Sequence, residues 1–270
     1  MLDLIQITND PAFATRCDAL EGIRLFVDLE RLGKAERQAG RDTFISQHTV
    51  ADVGRIRAAA RRSRMMVRVN PLNPGTPDEV DAVLAEGADL LMLPMFHRAG
   101  QVREFAALVA GRAPIVALLE TAAALDSVDE WIATPGLHEV FVGLNDLHLS
   151  LGHRFMFEPL AQGLVERVAE VAHRAGSRFG FGGIARVDEG LLPGRDVLAE
   201  HLRLRSGAVI LSRTFHRKDE DNPGRFEREV QALRRAEAQL EQRTPQQVQA
   251  DARRIAAAIE AIAAGLPRRP

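Results

Sequence analysis

The sequence has few of the features that mark secreted, membrane-spanning or disulfide-bonded proteins. It contains one cysteine, Cys17, in 270 residues, which excludes an internal disulfide. Its apolar runs are short: PIVALLE, for example, ends at the charged Glu120, whereas a membrane helix needs about 20 apolar residues. The N-terminus lacks the basic region and apolar stretch of a secretory signal. We therefore expect a cytoplasmic protein without a membrane partner.

Neither sign of charge predominates, because 35 Lys and Arg residues face 37 Asp and Glu residues. A nucleic acid backbone attracts proteins with a basic field, so we expect no nucleic acid partner. With 21 glycines, 13 prolines and 46% hydrophobic residues, the composition is that of a folded chain. The length suits one barrel or two small domains.

Short apolar, β-rich runs recur along the chain, and we count eight of them. They cover residues 23–29, 43–46, 65–69, 89–94, 114–120, 139–143, 178–182 and 208–212. Segments with helical periodicity lie between them. Continuous apolar strands that alternate with helices are typical of a parallel sheet covered by helices, and eight units favour a closed barrel. The sequence therefore predicts an α/β protein, a (β/α)8 TIM barrel.

Two helices are predicted after the last strand, one more than a minimal barrel needs. The first begins near Asn222, and the second begins with TPQQ from Thr244. In TPQQ, and likewise in TPDE from Thr76, the threonine is a predicted N-cap, the proline the first helical residue, and the last residue completes a capping box. We divide the chain into a barrel domain, 1–243, and a helical extension, 244–270. The apolar stripe of the extension either covers a neighbouring subunit, which we favour, or packs back onto its own barrel.

The active site of such a barrel forms at the carboxyl ends of the strands. Polar residues that follow or end the apolar runs are Asp28, Glu30, His48, Arg68, Glu120 and Asp146. Glu120 and Asp146 lie on neighbouring strands and can converge on one ion, and all-oxygen ligation with open positions selects Mg²⁺, with Mn²⁺ or Co²⁺ as substitutes. A salt bridge for Glu120 and a helix cap or Asx turn for Asp146 are the alternatives.

The remaining candidates have a functional and a structural interpretation each. Arg68 in MMVRVNP offers a fork of donors for a carboxylate or an enolate oxygen, or it pairs with Glu120. His48, just before a probable helix start, is a general base or a structural histidine. Gly182 and Gly183 end the GFGG string, which lets the backbone approach a ligand or shapes a turn.

Four segments together resemble the HpcH/HpaI aldolase and citrate lyase beta-subunit superfamily, within the barrels related to pyruvate kinase and phosphoenolpyruvate-using enzymes. They are MVRVNPLN from Met66, GADLLMLPM from Gly87, ALLETAAAL from Ala117 and VFVGLNDLHLSLG from Val140. The resemblance spans roughly residues 23–215. Several segments in the same order, at similar separations, are more specific than any single motif.

The resemblance implies a role for each candidate residue. Glu120 and Asp146 correspond to the metal-binding pair, Arg68 to the arginine that contacts the keto acid or enolate, and His48 to the proton-transfer histidine. The glycines at 182–183 would border the substrate. The implied enzyme is a metal-dependent lyase that cleaves or forms a hydroxy keto acid through a pyruvate-type enolate, with Mg²⁺ as the ion and a homo-oligomer, trimer or hexamer, as the assembly.

Two other functions remain open. VRVN favours a citrate-lyase-like enzyme acting on a coenzyme A thioester, whereas GLNDLHLSLG favours the aldolases, and we place the free keto acid first. The alternative of another class is a non-catalytic metabolite-binding or assembly subunit. The context of His48, ISQHT, departs from the acidic residue, glutamate and histidine string typical of the aldolases, and is the feature that fits this alternative.

Overall fold

A computed structural model of the chain describes residues 1–33, 47–215, 222 and 224–267, and they form a closed barrel of eight parallel strands. The strands are β1 Asp3–Ile7, β2 Ile23–Asp28, β3 Met65–Arg68, β4 Leu90–Leu93, β5 Ile115–Leu119, β6 Leu137–Val142, β7 Arg178–Ile184 and β8 Ala208–Leu211. Each strand pairs with its neighbours in sequence, and β8 closes on β1. The predicted TIM barrel with an additional C-terminal helix is confirmed.

The first strand of the barrel differs from the prediction. The apolar pattern predicted the first strand at residues 23–29, but the structure begins the barrel with β1, Asp3–Ile7. The strand predicted at 43–46 lies outside the described residues. Two polar residues obscured β1 in the sequence. Asp3 pairs with the buried Arg24, and Gln6 is buried with its side-chain amide donating to the Ile7 carbonyl oxygen. Such residues interrupt the apolar run that identified the other strands.

Helices surround the barrel. Those in the described residues are α1 Pro11–Asp18, α2 Val50–Ala59, α3 Thr76–Ala85, α4 Ala99–Val109, α5 Ala122–Asp126, α6 Val128–Trp131, α7 Leu144–Ser150, α8 Glu158–Ala161, α9 Leu164–Arg174, α10 Gly194–Arg203, α11 Arg225–Leu240 and α12 Pro245–Gly265. A short 3-10 helix, Arg213–Phe215, follows β8. Over these described residues, no helix combines the length and apolar character needed to cross a membrane.

The two predicted threonine helix starts differ in the structure. Thr244 caps α12 with the expected capping box. At α3, however, Thr76 is the first helical residue, and its hydroxyl accepts the backbone N–H of Asn73 at 2.9 Å. Glu79 instead accepts bonds from Asn70. The turn before α3 therefore uses both side chains, and the capping box predicted there was wrong.

The C-terminal helix packs onto the barrel of its own chain. Its buried face contains Ile255, Ile259 and Ala263, and it contacts α8 and α10. Arg254 also forms a salt bridge to Asp196 on α10, with a shortest N to O distance of 2.7 Å. The apolar stripe is thus covered within the chain. A homo-oligomer and the division at residue 243 stay predictions.

The interior of the barrel changes character from one end to the other. Its middle is an apolar cluster that includes Phe26, Met66 and Phe141. At the amino end of the strands lies an ion-pair cluster built on the buried Arg24 and Glu139. The carboxyl end carries the candidate polar residues predicted from the sequence. The candidate site therefore borders the apolar middle of the barrel.

Candidate active site

Strand register brings two of the nominated residues side by side. Asp28 is the last residue of β2, Arg68 is the last residue of β3, and the two are direct partners in the parallel ladder. Glu120 follows β5, and Asp146 lies in α7, which begins one residue after Gly143 at the end of β6. All of these residues therefore lie at the carboxyl end of the barrel.

Arg68 is held by two carboxylates. Its Nε and Nη2 atoms donate to the two oxygens of Asp28, both at 2.8 Å, and Nη1 lies 3.2 Å from Glu30 Oε2. Although burial lowers it, the neighbouring charges of Asp28 and Glu30 raise the pKa of Arg68 above its usual value. Arg68 is therefore a fixed cation whose direct partner is Asp28, not the Glu120 that the structural interpretation had paired with it.

Glu120 is a buried carboxylate, only 3% exposed, and the two carboxylates that hold Arg68 are buried as well. Its Oε1 accepts the backbone N–H of Met95 at 2.9 Å. The pKa of Glu120 is raised to about 8, mainly by burial; Arg68 lowers this pKa, and the charges of Glu30 and Asp146 raise it. Charges from three other residues therefore act on this one carboxylate.

Two residues that sequence analysis did not nominate shape the space around Glu120. A Cβ at Gly143 would lie 3.0 Å from Glu120 Oε2, so the glycine lets the carboxylate approach the end of β6. Met95 has a left-handed backbone, with φ of 51°. Gly143 directly precedes the LND string and was visible as a candidate, whereas nothing in a sequence marks a methionine with positive φ.

The donor set fits a divalent cation with open coordination positions. Among the described residues, no three His, Cys, Asp or Glu side chains gather as a complete metal cage. Mg²⁺ commonly binds through one or two carboxylates and completes its shell with water and substrate oxygens. Glu120 and Asp146 supply such a pair, and a cation would compensate the cost of ionising the buried Glu120. Their role as ligands stays a prediction.

His48 has a defined hydrogen bond at the edge of the site. It is buried beside α2, and its Nδ1 accepts the backbone N–H of Asp28 at 3.1 Å. Arg31 donates to the carbonyl oxygen of His48 at 2.9 Å. Because Nδ1 accepts, the neutral ring carries its proton on Nε2. To act as a base through Nε2, the ring must first change tautomer and give up the Asp28 bond.

Gly182 and Gly183 lie inside β7, near its carboxyl end. Gly182 has a φ of 54°, and the pairing with β8 shifts register between Gly180 and Gly183. A Cβ at Gly182 would lie 2.9 Å from Leu144 Cδ1. Gly182 therefore lets α7, the helix of Asp146, pack close to the barrel. Substrate contact by either glycine stays a prediction.

Glu120 makes the stability of the metal-free protein depend on pH. Its pKa is about 8 in the folded chain against an ordinary value of 4.5, so the folded state holds a proton that the unfolded state has released. Stability should therefore fall as pH rises between these values, by a few kcal/mol in total. We expect Glu120→Gln to remove this fall. Melting temperatures of the unaltered protein and of Glu120→Gln in chelator, from about pH 5 to about pH 9, check this expectation. The same dependence of melting temperature on pH in both proteins would contradict it.

Fold and site together define a class: a (β/α)8 barrel with paired carboxylates and a fixed arginine at its carboxyl end. The HpcH/HpaI aldolase/citrate lyase family model matches residues 24–159, half of the chain. The chain belongs to the HpcH/HpaI aldolase/citrate lyase family. A curated relative, the hydroxypyruvate/pyruvate aldolase of Rhizorhabdus wittichii, is 39% identical over 79 residues, which is 27% of this chain. The match spans only about a third of that relative's length, 32%.

Solved structures share the fold at low identity. The HpcH/HpaI aldolase of Desulfitobacterium hafniense DCB-2 matches with a TM-score of 0.61 and 17% identity, over 78% of this chain and 86% of its own. The citrate lyase beta subunit of M. tuberculosis, complexed with oxaloacetate and magnesium, matches with a TM-score of 0.56 and 17% identity, over 87% of this chain and 96% of its own. These likenesses support the barrel and its topology.

Proposed function

We propose that the protein is a divalent-metal-dependent carbon–carbon lyase that cleaves or forms a hydroxy keto acid through a pyruvate-type enolate. The observation that carries the proposal is the buried Glu120, set among the charges of Glu30, Asp146 and Arg68 at the mouth of the barrel. Family membership and the aldolase relative support the reaction class. Magnesium is the proposed ion, with Mn²⁺ or Co²⁺ able to replace it.

Glu120 and Asp146 would hold the ion. When bound, a divalent ion supplies Lewis acidity toward the keto oxygen and a template for the keto acid. Arg68 donates two of its five N–H groups to Asp28 and forms an ion pair with Glu30, and its remaining donors would serve the substrate. Because its carboxylate partners fix the guanidinium plane, those donors are oriented before charge develops on the enolate oxygen.

His48 would serve the proton transfer at the hydroxyl next to the cleaved bond. Its Nε2–H is a hydrogen-bond donor as long as Nδ1 accepts from Asp28. In this tautomer His48 orients the hydroxyl oxygen or a water, and accepting a proton needs the other tautomer. The proposed role is therefore hydrogen bonding in the resting state, with proton acceptance coupled to loss of the Asp28 bond.

The test of this function is release of pyruvate from 4-hydroxy-2-keto acids. We expect release that disappears on chelation and returns with Mg²⁺ or Mn²⁺, because the carboxylate pair needs a hard cation. The assay compares chelated and metal-restored protein on the same substrates. No release from any keto acid, with or without metal, would contradict the proposal and favour the thioester substrates of the citrate-lyase branch or a non-catalytic role.

A further inference from the structure

The loop after β4 is tied to the loop after β5 at two adjacent positions. The Met95 amide donates to Glu120 Oε1 at 2.9 Å, and the Thr121 hydroxyl donates to the Phe96 carbonyl oxygen at 2.9 Å. Thr121 Oγ1 also accepts the N–H of Ala124, which caps α5. Two hydrogen bonds therefore join the loops in opposite directions. Met95 donates to Glu120, and Thr121 donates back to Phe96.

Aromatic packing against Trp131 holds this pair of loops in place. Phe96 is buried and meets Trp131 edge to face, with ring centroids 5.0 Å apart and planes at 82°. The Trp131 indole N–H donates to the Ala124 carbonyl oxygen at 2.9 Å. A left-handed non-glycine residue persists where its surroundings determine its conformation. For Met95, the neighbour that is held in place is the next residue, Phe96, through its contacts with Trp131 and Thr121.

The left-handed conformation of Met95 has a consequence for the carboxylate. With φ at 51°, its amide points at Glu120 Oε1. Oε2 is then on the side of Gly143, where the missing Cβ leaves room, and Gly143 leads into the helix of Asp146. The two carboxylate oxygens of Glu120 are thus distinguished by their surroundings: Oε1 accepts a backbone amide, and Oε2 lies beside Gly143.

We propose that Met95 is a positioning residue whose left-handed backbone fixes the Glu120 carboxylate so that Oε2 serves the divalent ion. The inference rests on the proposed function, because it assigns a role in holding that ion. What matters is the conformation and the N–H of residue 95, not its half-buried side chain. Hydrogen-bonding partners of metal ligands commonly contribute a factor of about 10 to 100 in metal affinity.

The experiment measures Mn²⁺ affinity, by the signal of free Mn²⁺ in electron paramagnetic resonance, for variants of residue 95. Met95→Val places a β-branched residue where φ must be positive, and we expect Mn²⁺ to bind roughly 10- to 100-fold more weakly. Met95→Gly tolerates positive φ and keeps the N–H, so its affinity should stay within about threefold. The α-hydroxy acid analogue of methionine at position 95, which lacks the N–H, should match the valine variant.

Ala110 provides the matched control, because it has a φ of 54° at the C-cap of α4, an exposed position. Ala110→Val should lower the melting temperature without changing Mn²⁺ affinity. Unchanged affinity in Met95→Val, or an equal loss in Met95→Gly, would overturn the positioning role alone. No Mn²⁺ binding by the unaltered protein would instead overturn the proposed function, and the positioning role with it.

Discussion

Glu120→Gln and Asp146→Asn are each expected to abolish metal-dependent turnover while the barrel remains folded. Each amide keeps the size of the side chain but removes a negative charge that the ion needs. Lewis-acid stabilisation by a bound metal contributes several kcal/mol, and each 1.4 kcal/mol is a factor of about ten, so we expect a loss of roughly 10³-fold or more. Steady-state pyruvate release at saturating Mg²⁺, with Mn²⁺ binding measured in parallel, checks both variants.

Glu166→Gln is the matched control for these variants. Glu166 pairs with Arg203 on the outside of the barrel, and its side chain is 45% exposed. The same chemical change there should leave Mn²⁺ affinity and turnover as they are in the unaltered protein. Full activity in both Glu120→Gln and Asp146→Asn would mean that neither residue holds the ion, and the assignment of the site would then be wrong.

The sequence predicted the barrel because most of its strands are continuous apolar runs that end at polar residues. Such runs identify buried parallel strands, and they also located Arg68 and Glu120 at the ends of β3 and β5. The strand that sequence analysis missed, β1, has Asp3 and Gln6 at positions that the apolar pattern would assign to the core. Asp3 can lie there because Arg24 and Arg178 compensate its charge, and those partners are distant in sequence.

The site was predictable as a set of residues, but not as a set of contacts. Asp28 and Glu30 were visible after the second predicted apolar run, yet only the strand register shows that Asp28 faces Arg68. The hydrogen bond from Asp28 to His48 crosses 20 residues of chain. Phe96, the residue after Met95, is held by contacts with Thr121 and Trp131. Pairings of this kind depend on how separate strands and loops meet, and one sequence does not contain that information.

The opposite end of the barrel holds a charge cluster whose disruption should cost the most stability. Arg24 is 2% exposed and Glu139 is not exposed at all. Arg24 donates to Glu139 at 3.0 Å and to Asp3 at 2.7 Å, and Asp3 also pairs with Arg178 at 2.9 Å. The positive charges of Arg24 and Arg178 balance the negative charges of Asp3 and Glu139. Removing one member leaves an uncompensated buried charge, which is more costly than the loss of the contact itself.

Arg24→Met is therefore expected to destabilise the fold by about 3–5 kcal/mol, measured by urea unfolding. Adding Glu139→Leu should recover most of this loss. It removes the buried carboxylate that shares its remaining cation, Arg178, with Asp3, and it leaves the pair of Asp3 with Arg178. As a control, Arg112→Met breaks an exposed pair with Asp81 and should cost less than about 1 kcal/mol. A double variant no more stable than Arg24→Met would show that the cost comes from lost packing. Because the cluster is separated from Glu120 by the apolar middle of the barrel, Mn²⁺ affinity should stay constant throughout the series.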